Sequence, residues 1–190
     1  MISMRRGEQT NGHREGDVLK GLAAGIIGGL VASWVMEEFQ AGWTKVSETL
    51  SESREKGSSG HAGEQGETTQ QEPATVKAAE AISEGVFGHE LTPSEKEVAG
   101  PAVHYALGTA VGGLYGVVVE VEPGVKVGAG LPFGAVFWLV VDEAAVPLLG
   151  LSKGPTEYPL STHVYALASH LVYGLTTDIV RRTLRRTILS

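Results

Sequence analysis

Long apolar stretches alternate with charged segments along this chain: Gly21–Met36, Ala99–Val119, Val125–Leu151 and Pro159–Thr177. A helix crossing the hydrocarbon core of a bilayer needs about 20 residues at 1.5 Å rise, and each stretch is near that length. The pattern predicts an all-α fold, a polytopic membrane protein built as a four-helix transmembrane bundle with an acidic external loop. The expected spans are residues 18–39, 99–120, 125–149 and 159–180, after a polar tail over 1–17. The first apolar run ends in Trp34, Met36 and two glutamates instead of a small-residue cleavage site, so it reads as an uncleaved span and not as a secretory signal.

The residues between the spans are patterned differently. Beyond Glu37, Glu38 and Gln40 the sequence turns amphipathic through Trp43, Val46 and Leu50, so the first helix is expected to project past the membrane. Residues 51–73 are rich in Ser, Gly, Glu, Gln and Thr and lack the apolar content that offsets the entropy of ordering, which predicts a disordered linker. Residues 74–87 regain helical periodicity, with Val76, Ala79, Ile82 and Val86 near one face. Such a helix can lie on a membrane surface or cap the bundle. Thr92 and Glu95 have the spacing of a capping box ahead of the second span. An alternative for the middle of the chain is a β-hairpin pairing residues 117–121 with 125–127 around Glu122-Pro123-Gly124. The flanking apolar runs are too long for ordinary strands.

Glycine recurs at four-residue intervals inside the spans, at Gly21, Gly25 and Gly29 in the first and at Gly108, Gly112 and Gly116 in the second. Gly130 and Gly134 repeat the spacing in the third. Lipid supplies little hydrophobic drive between helices, so small residues that admit close backbone approach are the expected packing surfaces.

Composition alone would suit a soluble protein, with 42% hydrophobic and 19% charged residues. The distribution changes that picture, because the charges gather outside the apolar stretches. The net charge of −7 arises from thirteen glutamates between Glu37 and Glu97 against five basic residues. An acidic excess of this kind argues against a nucleic-acid partner, which requires a basic face. The absence of cysteine removes disulfides, thiolate metal sites and cysteine nucleophiles. Arg5, Arg6 and Arg14 precede the first span and Arg181, Arg182, Arg185 and Arg186 follow the last, which predicts cytoplasmic termini and an external loop over residues 40–98.

Ionisable residues inside apolar spans are costly and therefore candidates for function. Here they are His104, Asp142, Glu143, His163 and His170, with Glu120 and Asp178 near the cytoplasmic ends. Under the expected topology His104, Asp142, Glu143 and His163 share a layer near the outer leaflet. Asp142 and Glu143 diverge by about 100° around a regular helix, so they cannot both aim at one partner. The sharper expectation pairs one of them with His104 or His163, whose imidazole would gain charge as external pH falls. The plainer alternative is that these groups join helices by hydrogen bonds. Neither a zinc-protease helix motif nor a phosphate-binding glycine loop appears, no metal or cofactor is called for, and no enzymatic reaction is expected.

The second half of the chain resembles the YagU-like family of bacterial inner-membrane proteins. The likeness rests on His104, Tyr115 and the run 117–123 ending in Glu120-Val121-Glu122-Pro123, on Pro147-Leu148-Leu149-Gly150-Leu151, and on His170-Leu171-Val172 followed by Arg181-Arg182-Thr183-Leu184-Arg185. The resemblance implies an integral inner-membrane protein embedded in the lipid bilayer, with a homodimer as a candidate assembly and a broad association with survival in acid. It carries over His104, Glu120 and His170, and does not carry over Asp142 or His163. Three readings follow: a protein whose outer-side polar layer supports acid tolerance, a small proton- or ion-conducting transporter using His170 and Asp178, and a scaffold that recruits a partner through its external loop.

Overall fold

The computed structural model describes residues 2–57 and 72–188, with side chains for 16–49, 72–122 and 124–188. Helix α1 spans Ile2–Gly57. Helix α2, Ala74–Ile82, continues into a widened π turn at Ser83–Phe87 and stops at Gly88 in the left-handed region. Helix α3 is Pro93–Val121. Helix α4, Leu131–Val140, runs on through a π turn at Val141–Ala145 into Val146–Leu148. Helix α5 is Leu160–Thr187. No strand forms among the described residues, so the hairpin alternative is excluded there.

Local chemistry accounts for most of the boundaries. Thr92 caps α3 with its side chain accepting from the Glu95 backbone N–H, while the Glu95 carboxylate accepts from the Thr92 N–H at 2.7 Å. Pro93 at the first helical position has no N–H to leave unpaired. The third apolar helix starts at Leu131, not at residue 125. A short 3-10 turn occupies Pro123–Lys126, and Gly128, Ala129 and Gly130 all have positive φ, which no α-helix accommodates. Two other expectations shift. The 1–17 segment is helical from Ile2, and α1 continues through the first seven residues assigned to the 51–73 linker, leaving 58–71 outside the described residues.

Three helices among the described residues are long and apolar enough to cross a membrane: Gly16–Thr49, Pro93–Val121 and Leu131–Leu148. Helix α5 has the length, at 28 residues, but its Ser, Thr, His, Asp and Arg content keeps it below the same hydropathy. In space α1 lies between α3 and α5, α4 packs on α5, and α2 lies against α3.

The distribution of residue types is inverted relative to a soluble protein. Ser33, Ser169, Thr177 and Asp178 are nearly inaccessible, whereas Ile27, Leu30, Trp34, Leu114, Val136 and Leu139 face outward. Large apolar side chains outside and small or polar ones inside suit a hydrocarbon solvent, where burial of Leu or Ile brings no hydrophobic gain.

Helices α1 and α3 run antiparallel with backbones nearly touching. A Cβ on Gly25 would meet the Gly112 carbonyl and, at 2.9 Å, the Gly116 Cα; one on Gly112 would lie 2.5 Å from the Gly29 Cα. Gly21 and Gly116 oppose each other in the same way, as do Gly29 and Gly108. The α4–α5 contact repeats the device, with Gly134 against the His170 carbonyl and Gly130 against that of Gly174. Around Gly108, the Tyr173 hydroxyl of α5 donates to the glycine carbonyl at 2.5 Å, and Tyr115 stacks on Phe133 of α4 with ring centroids 4.2 Å apart.

Candidate functional site

Two groups of polar residues sit within this frame, one towards each end of the molecule. The first lies where α4 widens. Val146 donates its N–H to the Val141 carbonyl, five residues back. Pro147 follows directly. A proline in a regular helix clashes with the carbonyl four residues earlier, here Glu143, and the π turn relieves that conflict. Asp142 and Glu143 therefore both turn towards α5. Glu143 Oε1 lies 2.6 Å from His163 Nδ1, and Asp142 Oδ2 lies 3.6 Å from His170 Nδ1.

The hydrogen bonds constrain where protons can sit. His163 Nε2 is 2.9 Å from the Pro155 carbonyl, which can only accept, so that nitrogen carries a hydrogen. The line from Nδ1 to Glu143 then holds one further proton, either on the imidazole as an ion pair or on the carboxyl as a neutral pair. His170 Nδ1 donates to the Ala166 carbonyl at 2.9 Å, with Asp142 close to the same hydrogen. His170 is buried and packs edge-on against Phe137. The sequence expectation placed His104 or His163 opposite a carboxylate. Geometry gives His163 to Glu143 and His170 to Asp142, while His104 stands 3.5 Å from the Ser33 carbonyl of α1. Next to it, the Tyr105 hydroxyl donates to Glu37 at 2.5 Å, a link that sequence inspection missed.

The second group is at the arginine-rich end. Arg181 is 2% exposed, yet its guanidinium meets Asp178 at 3.3 Å and Glu120 at 3.5 Å, and lies over the Tyr115 ring. Arg182 pairs with Asp178 at 2.6 Å and donates to the Lys126 carbonyl. Arg185 reaches Glu120 at 2.9 Å and Asp17 of α1 at 3.1 Å. Asp178 and His170 thus meet different partners. Sequence inspection used these arginines for orientation and for the family likeness, not as partners of Asp178 and Glu120. The spacing of Asp178 to Arg181 and Arg182, three and four residues, was the signal that could have paired them.

A third cluster ties α2 to α3 outside the apolar spans. Lys96 bridges Glu72, at 3.0 Å, and Glu80. Hydrogen bonding and the lysine charge lower the Glu80 pKa, and the same contacts raise that of Lys96. Hydrogen bonds from the Thr92 backbone and hydroxyl, then from His89, hold Glu95 at about 2.

Comparison with known proteins bears on the α3–α5 half. The family model described as "Protein of unknown function (DUF1440)" matches residues 84–179, about half of the chain. This chain belongs to the DUF1440 family. The DUF1440 segment includes both carboxylate–imidazole pairs, His104, Glu120 and Asp178, and ends before Arg181. A curated relative, the inner membrane protein YagU of Escherichia coli (strain K12), is 38% identical over 74 residues, covering 39% of this chain and 36% of YagU. The match spans about a third of that relative's length. No solved structure matches the chain.

Proposed function

We propose that this DUF1440 protein is an integral inner-membrane protein whose α4–α5 polar pairs respond to external protons and support tolerance of acid. The reading has the chain cross the bilayer four times, with α5 as the fourth crossing and both termini cytoplasmic. Three features support it. Three helices are long and apolar enough to span, the relative with the recognisable likeness is named as an inner membrane protein, and α5 turns Ser169, His170, Thr177 and Asp178 inward and so shields its polar groups from lipid. The arginines at one end of α5 would stay on the cytoplasmic side.

The observation that carries the functional part is the double pairing of Glu143 with His163 and Asp142 with His170. The Glu143–His163 pair balances its charge while it holds a single shared proton, and Asp142 balances His170 when that imidazole carries both of its hydrogens. A second proton would neutralise the carboxyl beside a charged imidazole, and an unpaired cation in apolar surroundings is strongly disfavoured. Acid would therefore loosen α4 from α5 at the outer end, and the pairs convert external pH into helix separation.

The experiment replaces His163 and His170 by Gln and compares acid survival with wild type at matched membrane levels. Lower or pH-shifted survival is expected, and equal survival would sink the acid reading. Topology is read separately. With no native cysteine, K153C should react with an impermeant maleimide in intact cells and T187C only after permeabilisation. The opposite labelling would reverse the orientation.

A further inference from the structure

The arginine-rich end contains a feature that helix pairing does not account for. A cavity of about 320 Å³ opens between the ends of α1, α3 and α5, large enough for a small polar group. Its wall carries Lys126, Arg181, Arg182, Arg185 and Arg186 against two carboxylates, Asp17 and Glu120. Counting Asp178, buried behind the wall, two positive charges stay uncompensated among the described residues. Lys126 and Arg186 are exposed and make no ion pair with the described residues. Deeper in, Arg181 is almost wholly inaccessible and its Nε–H has no hydrogen-bond partner; the Arg182 Nε is also unpartnered. A buried donor on a cation is expensive to leave unpaired.

We propose that this cavity binds the phosphate group of an anionic phospholipid headgroup. A phosphodiester brings one negative charge, which offsets one of the two surplus positive charges, and acceptor oxygens for the orphaned guanidinium donors. Position favours a lipid as the source. The cavity lies where the apolar parts of α1, α3 and α5 give way to charge, the level at which headgroups sit beside spanning helices. Val121 and Val125 next to the cavity's Glu120 and Lys126 are exposed apolar side chains available to acyl chains. The lipid assignment rests on the membrane-spanning reading above; the phosphate chemistry does not.

The test uses the full chain purified in mild detergent, with binding followed by native mass spectrometry and thermal shift. The probes are phosphatidylglycerol, phosphatidylcholine and inorganic phosphate. The variant is K126Q/R186Q, which leaves the network among Arg181, Asp178 and Glu120 in place. Phosphatidylglycerol should bind in preference to phosphatidylcholine. The double variant should lose affinity by about fivefold per cation, so about 25-fold in all. Inorganic phosphate binding that is equally sensitive to the variant, with no preference for phosphatidylglycerol, would overturn the lipid source and keep a soluble anion as occupant. Binding of all three probes unaffected by the variant, or equal binding of the two lipids without variant-sensitive binding of inorganic phosphate, would overturn the site. Carbonate extraction of membranes reads the spanning assignment separately: a chain released by carbonate refutes that assignment, while the inorganic phosphate measurement still decides the cavity.

Discussion

Replacing Gly112 by Ala should weaken the protein, although alanine is the better helix former. The added Cβ would sit 2.5 Å from the Gly29 Cα, 2.6 Å from the Gly25 carbonyl oxygen and 2.8 Å from the Gly29 nitrogen, all backbone atoms of α1. Ordinary contact for carbon begins near 3.4 Å, so α1 and α3 must part by about 1 Å, and no side-chain rotation can absorb the change. Overpacking of this kind costs about 1–3 kcal/mol, against at most about 1 kcal/mol gained from helix propensity. The loss propagates because the Gly21–Gly116, Gly25–Gly112 and Gly29–Gly108 contacts belong to one rigid interface and separate together. Two controls sharpen the sign. At Gly42, on the far part of α1, a Cβ meets nothing within 4 Å, so Gly42→Ala should stabilise by about 0.5–1 kcal/mol. At Gly113 the neighbours are side-chain atoms, Ile26 Cγ1 and Leu22 Cδ1 at 3.0 and 3.1 Å, so Gly113→Ala should fall between the two. Reversible unfolding in mixed micelles measures all three. Equal stability of Gly112→Ala and Gly42→Ala would refute the argument that backbone contact limits this interface.

Three further outcomes are expected. Arg181→Met removes the cation shared by Asp178 and Glu120 and should cost about 3 kcal/mol in the same unfolding assay, the low end for breaking a buried pair because Arg182 still meets Asp178. Tyr173→Phe deletes the donor to the Gly108 carbonyl and should cost about 1 kcal/mol; an unchanged midpoint would refute a stabilising role for that bond. For Glu95 the folded pKa of about 2 lies below the ordinary glutamate value of 4.5, so its contribution is present above 4.5 and is lost as pH falls from there through 2. Amide protection factors at the start of α3, taken against the intrinsic rate at each pH, should fall over that window in wild type and be low throughout, without the acid-dependent drop, in Glu95→Ala.

The helices at 93–121 and 160–187 were legible because apolar length and the Thr92–Glu95 cap are local signals, as was an apolar helix ending near Leu148. Its start at Leu131 was not, since Val125 and Val127 are as apolar as the helix that follows and the decisive feature is left-handed backbone at 128–130. The polar residues inside the apolar segments were all visible, but their partners were not. A regular helix would separate Asp142 and Glu143 by about 100°; the π turn before Pro147 turns both towards α5 and selects His170 and His163.

By itself the sequence determined that the chain is helical with several long apolar segments, that charge collects at their ends, and that one face of several helices is small. These follow from side-chain chemistry within a few residues. The tertiary structure decided which glycine opposes which, which histidine meets which carboxylate, and that Arg181 is buried against Glu120 and Tyr115 of α3 as well as its near neighbour Asp178. Those outcomes depend on the antiparallel register of α1 and α3 and on one widened turn in α4. A register is a property of two surfaces meeting, and no single segment contains it.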